Sequence, residues 1–337
     1  MSIAFWLTLG GLLVVFFTLA AYATLAERKI SAWIQDRVGP NRVGFWGLLQ
    51  PLADVLKLVF KESFQPSRSY QLLQIAAPVL MVTLAMGALA IVPLSPHLQL
   101  FSGSVGILYL LGVLSMGVYG LSLAGWATGS KYSLLGGLRS GAQVVSYELS
   151  LGAALLSVLL ITAFLAPNSN PLLPHSIVEA QRHGWFVLLN PIGFIVYVIA
   201  AFAETNRAPF DLVEAEQEIV GGYHTEYSAI RFGAFFVAEY MNMITASALI
   251  STFFFGGYLS PFDSLIGVQN WQPVWQNVWG ISWLLVKTLF WAFVFIWVRW
   301  TLPRFRYDQL MRIGWKVLLP LGVANLAILS GLLLLTR

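Results

Sequence analysis

The chain has no cysteine and little charge. Only 10% of its 337 residues are Asp, Glu, Lys or Arg, and four are His. Without thiols this polypeptide can hold no disulfide framework, no thiolate metal site and no cysteine-ligated iron–sulfur cluster, so any redox centre it serves sits in a partner. Soluble domains carry roughly a quarter charged residues, which a chain with 58% apolar residues and this little charge does not resemble. Also missing are a nucleotide-binding glycine fingerprint, a metal-ligand spacing and a Ser–His–Asp pattern. No two similar halves mark the inverted repeats of many secondary transporters.

What is present is apolar sequence in runs of bilayer-spanning length. The runs lie at roughly 3–26, 72–93, 104–126, 143–166, 185–203, 232–257, 278–300 and 315–335, each near the ~20 residues that cross a ~30 Å core as helix. The fold class expected is an all-α integral membrane protein, one polytopic domain over residues 1–337 with about eight transmembrane helices. The first run lacks a basic leader and exceeds the length of a signal-peptide core, so it reads as a retained helix.

Lys and Arg set the orientation. Arg28, Lys29, Arg37, Arg42, Lys57, Lys61 and Arg68 follow the first span, and Lys131, Arg139, Arg207, Arg231, Arg299, Arg304, Arg306, Arg312 and Lys316 flank the later odd loops. The other side holds Arg182 and Arg337, so the odd loops face the inner side and both termini the outer. These cations flank helices instead of forming one solvated face. The net charge of +4 therefore gives no argument for nucleic acid.

The first inner connection, 27–70, is not featureless. Over 46–62 the apolar residues Leu48, Leu49, Leu52, Val55, Leu56, Val59 and Phe60 recur at helical spacing, with Gln50, Asp54, Lys57 and Lys61 opposite. This predicts an amphipathic helix in the inner interface, or a short helix packed on a partner protein. Ahead of it Gly39-Pro40-Asn41 is turn chemistry. Arg28, Arg37 and Arg42 stand beside the helix as fixed cations, suited either to a carbonyl or anionic headgroup or to lipid phosphates.

Ionisable residues beside or within spans carry the chemistry. Glu204, Asp211, Glu214, Glu216, Glu218 and Glu226 crowd one inner loop of a chain with 15 acids. Glu148, Glu239 and Lys287 fall within apolar runs, where charge is costly and marks ion or proton paths or structural contacts between helices. If 213–220 is helical, Glu214 and Glu218 share a face and titrate jointly, as a proton carrier near neutral pH requires. His224 belongs either to this path or to the structure around Gly221-Gly222. His97, His175 and His183 are scattered in short outer loops.

The strings Glu27-Arg28-Lys29, Gly39-Pro40-Asn41-Arg42-Val43-Gly44, residues 47–57, Ser146-Tyr147-Glu148, residues 203–211, Glu214-Ala215-Glu216, Ala238-Glu239-Tyr240 and residues 303–310 closely resemble one membrane-subunit family of proton-pumping NADH:quinone oxidoreductase, respiratory complex I. The mitochondrial member of that family is NADH dehydrogenase subunit 1. The resemblance runs from the first span to the last. It implies a component, not catalytic alone, that forms the membrane wall and entrance of a quinone chamber. Quinone is then the substrate. Flavin and iron–sulfur clusters lie in peripheral-arm partners, other membrane subunits and lipid surround the chain, and the location is an energy-transducing membrane such as a bacterial inner membrane. Carried over by position, the quinone-route residues are Glu27, Arg28, Arg37, Phe232, Phe235, Phe236 and Arg299. The proton path comprises Asp54, Glu148, Glu204, Glu214, Glu216, Glu218, Glu226 and Glu239, with Lys287 deeper in. Two other readings fit the same residues: the membrane subunit of a hydrogenase-like complex with another electron donor, and a stand-alone ion channel or transporter.

Overall fold

A computed structural model describes residues 3–100, 103–211 and 220–335, and every regular element among them is helical. In chain order those longer than four residues are α1 (Ile3–Ile34), α2 (Gln50–Phe60), α3 (Gln71–Leu89), α4 (Gly106–Ala127), α5 (Lys131–Leu165), α6 (Pro174–Ala180), α7 (Pro191–Glu204), α8 (Ala229–Phe254), α9 (Pro273–Thr301) and α10 (Tyr307–Leu335). Six of them, α3, α4, α5, α8, α9 and α10, are long and apolar enough to cross a membrane. The chain is an all-α integral membrane protein.

Helix bounds depart from the apolar runs where polar residues or proline intervene. The run at 185–203 is divided: residues 186–189 make a single turn, and Asn190 then caps a new helix by accepting from Gly193 N at 2.9 Å, with Pro191 in the first turn. The 14-residue α7 is left about 21 Å long, short of a full crossing. Conversely, α5 begins at Lys131 and not near 143, because Gly136, Gly137, Ser140 and Gly141 let the helix continue while packing closely. A Cβ on Gly125 of α4 would stand 2.6 Å from Ser133 O of α5, so only glycine permits that approach.

The amphipathic helix expected over 46–62 forms as α2, over Gln50–Phe60. Before it the backbone turns through Gly47 at φ +75°, where a Cβ would meet Pro40 O at 2.3 Å. Its apolar side chains Leu52, Val55, Leu56 and Val59 stay exposed. Centrally, α8 is the most enclosed of the six long spans, 61% of its apolar window being buried against 22% for α9 and 17% for α10. It packs on α1, α2, α3 and α9, while α5 packs on α4, α7 and α10. Both helices project acids into the seam beneath α7.

Candidate functional site

Glu27, near the C-terminal end of α1, is 4% exposed, and inner denotes this end of the helix bundle, outer the opposite one. A carboxylate this deep persists as an anion only when paired. Two guanidiniums pair it: Arg207 Nη1 lies 2.7 Å from Oε2, and Arg299 Nη1 lies 2.7 Å from Oε1. Arg207 continues to Glu239, with Nε 3.3 Å from Oε1, and holds its guanidinium carbon 4.5 Å from the centre of the Tyr240 ring. Two arginines and two glutamates, from α1, α8, α9 and the loop after α7, thus meet in one formally neutral network. Burial opposes the Arg207 cation, but Glu27 and Glu239 more than offset it and raise its pKa, so it is a fixed positive charge.

The loop carrying Arg207 is buried at Ala208, Phe210 and Asp211. Loops ordinarily lie at the surface because their backbone groups need partners. Here protein supplies them. Gln143 Nε2 of α5 donates to Ala203 O at 2.9 Å and Phe210 O at 2.7 Å, and Phe305 N donates to Pro209 O at 3.1 Å. Asp211 pairs with Arg304 at 2.9 Å. A second acid site adjoins this loop. Ser115 of α4 donates to Glu148 of α5, and Glu204 at the end of α7 is near enough for its charge to repel that of Glu148. Glu204 Oε2 is buried without a hydrogen-bond partner among the described residues.

At the rim, Arg28 pairs with Asp54 at 2.6 Å, and Gln50 donates to the same carboxylate at 2.8 Å, so α2 is pinned to α1. Arg37 is exposed on the following turn and bonds to Gln35. The three phenylalanines divide. Phe232 and Phe236 contact each other at 4.6 Å and share His224 at 5.5 and 6.3 Å. Phe235 instead turns into the core between Tyr223 and Tyr227. Glu226 is half-buried, and Glu214, Glu216 and Glu218 lie outside the described residues.

Lys287 has other neighbours than these acids. Its ammonium donates to the carbonyls of Phe255 at 2.6 Å, Gly257 at 2.9 Å and Leu259 at 2.6 Å, in the turn that follows α8. No carboxylate pairs with it among the described residues. On the outer side of that turn is a cavity of about 950 Å³. The outer histidines are not scattered there: His97 and His175 both line it. Tyr258 Oη lies 2.8 Å from both His175 Nδ1 and Glu179 Oε1, and Arg182 pairs with Glu179.

Sequence reasoning passed over this cavity, since its residues come from three separate outer connections. It also left Arg207 among the inner-side charges, although Arg207 stands mid-string in the 203–211 motif, where a lone cation among acids and apolar residues signals a buried pair.

The family model for NADH dehydrogenase matches residues 7–330. The chain is 49% identical over 338 residues to "NADH-quinone oxidoreductase subunit 8" of Rhodothermus marinus, covering 97% of this chain and 96% of that one. It is 49% identical over 331 residues to the NADH-quinone oxidoreductase H subunit of Salinibacter ruber, covering 96% and 95%. To the corresponding protein of Rhodospirillum centenum it is 48% identical over 314 residues, covering 93% and 89%. The match of the family model over residues 7–330 and full-length similarity of this order place the chain in the NADH dehydrogenase family.

Proposed function

We propose that the chain is a membrane component of a proton-translocating NADH-quinone oxidoreductase, walling the entrance of the quinone chamber and starting its acidic proton-coupling path. The names of the full-length relatives support the enzyme, and the observation that carries the finer reading is the buried Glu27–Arg207–Glu239–Arg299 network. Glu27, Arg28, Arg37, Phe232, Phe236 and Arg299 shape the quinone route around the inner end of α1, while Phe235 packs in the core behind them. Asp54 helps set the angle of α2. Cysteine-held iron–sulfur centres belong to partner subunits, because this Cys-free chain offers no thiolates, and flavin is assigned to the same partners by the family resemblance. The protein lies in a bacterial inner membrane, with the 27–70 and 204–231 connections inside and both termini outside.

Reducing a quinone to a quinol takes up two electrons and two protons, so the site must answer a change of charge. A neutral four-residue network in a low-dielectric seam responds strongly to such a change, since Coulomb energies grow as the dielectric falls. Arg207 and Arg299 stay cationic, leaving the carboxylates to exchange protons. We assign Glu204, Glu148, Glu226 and the sequence-expected acids Glu214, Glu216 and Glu218 to the same path as Glu239.

The test is Glu148→Gln and Glu239→Gln in the assembled complex, with quinone reduction and proton uptake measured in membranes. Each amide keeps the shape and cannot carry charge, so both readouts fall together while NADH oxidation by a hydrophilic artificial acceptor persists. Parental values for both variants sink the coupling role.

A further inference from the structure

One face of α9 carries a cation at mid-helix and another near its C-terminal end, with two rings between them. Lys287, Trp291, Phe295 and Arg299 recur every four residues and so share a face. At 1.5 Å per residue, about 18 Å of helix separates the two cations. Arg299 belongs to the inner network through Glu27. Lys287 belongs to the outer side: Leu259, whose carbonyl it bonds, and Trp185, whose ring centre lies 5.3 Å from its Nζ, both line the outer cavity.

The space between is filled by rings from three helices. Phe295, fully buried, stacks on Phe202 of α7 with centroids 4.0 Å apart. Trp291 meets Phe194 of α7 and Phe255 after α8, each at 5.6 Å, and Phe194 meets Phe254 at 5.4 Å. Close-packed apolar regions stay dry, because water enters a cavity only where polar groups hold it. A proton crossing such a layer needs a titratable side chain or a water file, and these rings offer neither. Lys287 lies beyond these rings, its Nζ held by the three carbonyls after α8, and does not span them.

We propose that Phe194, Phe202, Phe254, Phe255, Trp291 and Phe295 form a dry aromatic barrier that isolates the inner charge network from the outer cavity. The barrier prevents proton leak through this chain, so charge reaching Glu27, Arg207 and Glu239 moves on within the membrane and not outward past Lys287. This proposal rests on the chain being part of a proton-translocating complex.

The test uses the assembled complex in proteoliposomes with an imposed pH gradient, without NADH, and an entrapped pH dye. Phe295→Ala and the double variant Trp291→Ala/Phe295→Ala should raise the passive leak severalfold over the parent. An unchanged leak in an assembled variant overturns the barrier. Because large-to-small core changes are costly to stability, the milder Phe295→Cys gives a second readout in this otherwise Cys-free chain. Its thiol should resist a small water-soluble maleimide from either side, while that of Trp279→Cys, at the cavity, reacts from outside. Reaction at position 295 from the outer side overturns the proposal. NADH–quinone activity of the parent is measured separately, so failure of the functional reading is distinguishable from failure of the barrier.

Discussion

The inner and outer ends of this bundle both contain charge at membrane depth, and they satisfy it in opposite ways. Inside, cations face anions: Glu27 is shared by Arg207 and Arg299, and Arg207 also serves Glu239. Outside, Lys287 pairs with no anion among the described residues and is held by three backbone carbonyls. The first arrangement can change state, because moving one proton on a carboxylate alters the balance of the whole network. The second ties the turn after α8 to α9 through hydrogen bonds that no partner acid shares. An ionisable residue in a span therefore marks a charge-handling site only when its partners are themselves ionisable, and the sequence does not display partners.

The largest expected effect tests the inner arrangement. Arg207→Leu leaves Glu27 and Glu239 buried with Arg299 alone, and removing one member of a buried ion pair costs about 3–5 kcal/mol. Complex assembly, read on native gels, should collapse together with quinone reduction. Adding Glu27→Gln removes a stranded charge and should restore part of the assembly without restoring activity. An Arg207→Leu complex that assembles and works as the parent does would show the network to be incidental.

Lys287→Met makes the contrasting case. It strands carbonyls in the turn after α8, a loss of about 1–3 kcal/mol for buried groups left unsatisfied. Thermal stability of the complex should drop, while protons moved per quinone reduced stay at the parental ratio. Glu239→Gln should show the contrast, with quinone reduction and proton movement depressed together per assembled complex. A lowered proton ratio in a stable Lys287→Met complex would return Lys287 to the proton path that its place in a span suggested.

What was legible in the sequence follows from this contrast. Apolar runs announce helices because the bilayer leaves backbone few other choices, and α3, α8 and α9 lie near their expected places. The division at Asn190-Pro191 was written in cap chemistry but hidden inside an apolar run. Glu148 and Glu239 stood out because charge in apolar sequence is conspicuous. Arg207 did not, since nothing local says that an inner-loop arginine folds back under the membrane, a placement fixed by Gln143, 60 residues from the Ala203 carbonyl that it binds. Long-range pairs of this kind also hid the outer cavity, where His97 meets Gln276 across 179 residues.

Smaller effects belong to the cavity. Tyr258→Phe removes the hydroxyl that joins His175 to Glu179, and a typical net loss is about 0.5–1.5 kcal/mol. Faster hydrogen exchange should appear in 173–182 and 256–262, with quinone reduction unchanged. Slowed quinone turnover in this variant would mean that the two ends communicate, against the separation drawn above.

The smallest effect is a pH dependence of the same rim. Burial holds the His175 pKa below its ordinary 6.5; Glu179 pulls it up, and Arg182 and His97 push it down. The fold thus favours neutral imidazole, so this stabilisation is fully present above the ordinary value and is lost as pH falls through the lowered one. Between about pH 8 and pH 5, the range in which histidine titrates, exchange in 173–182 should rise on the acid side in the parent relative to His175→Gln. Comparison at each pH cancels the intrinsic dependence of exchange. A ratio that stays constant across the range would show that His175 does not titrate there. The rim would then be as fixed as the Lys287 tie beneath it, leaving the inner network as the molecule's one responsive end.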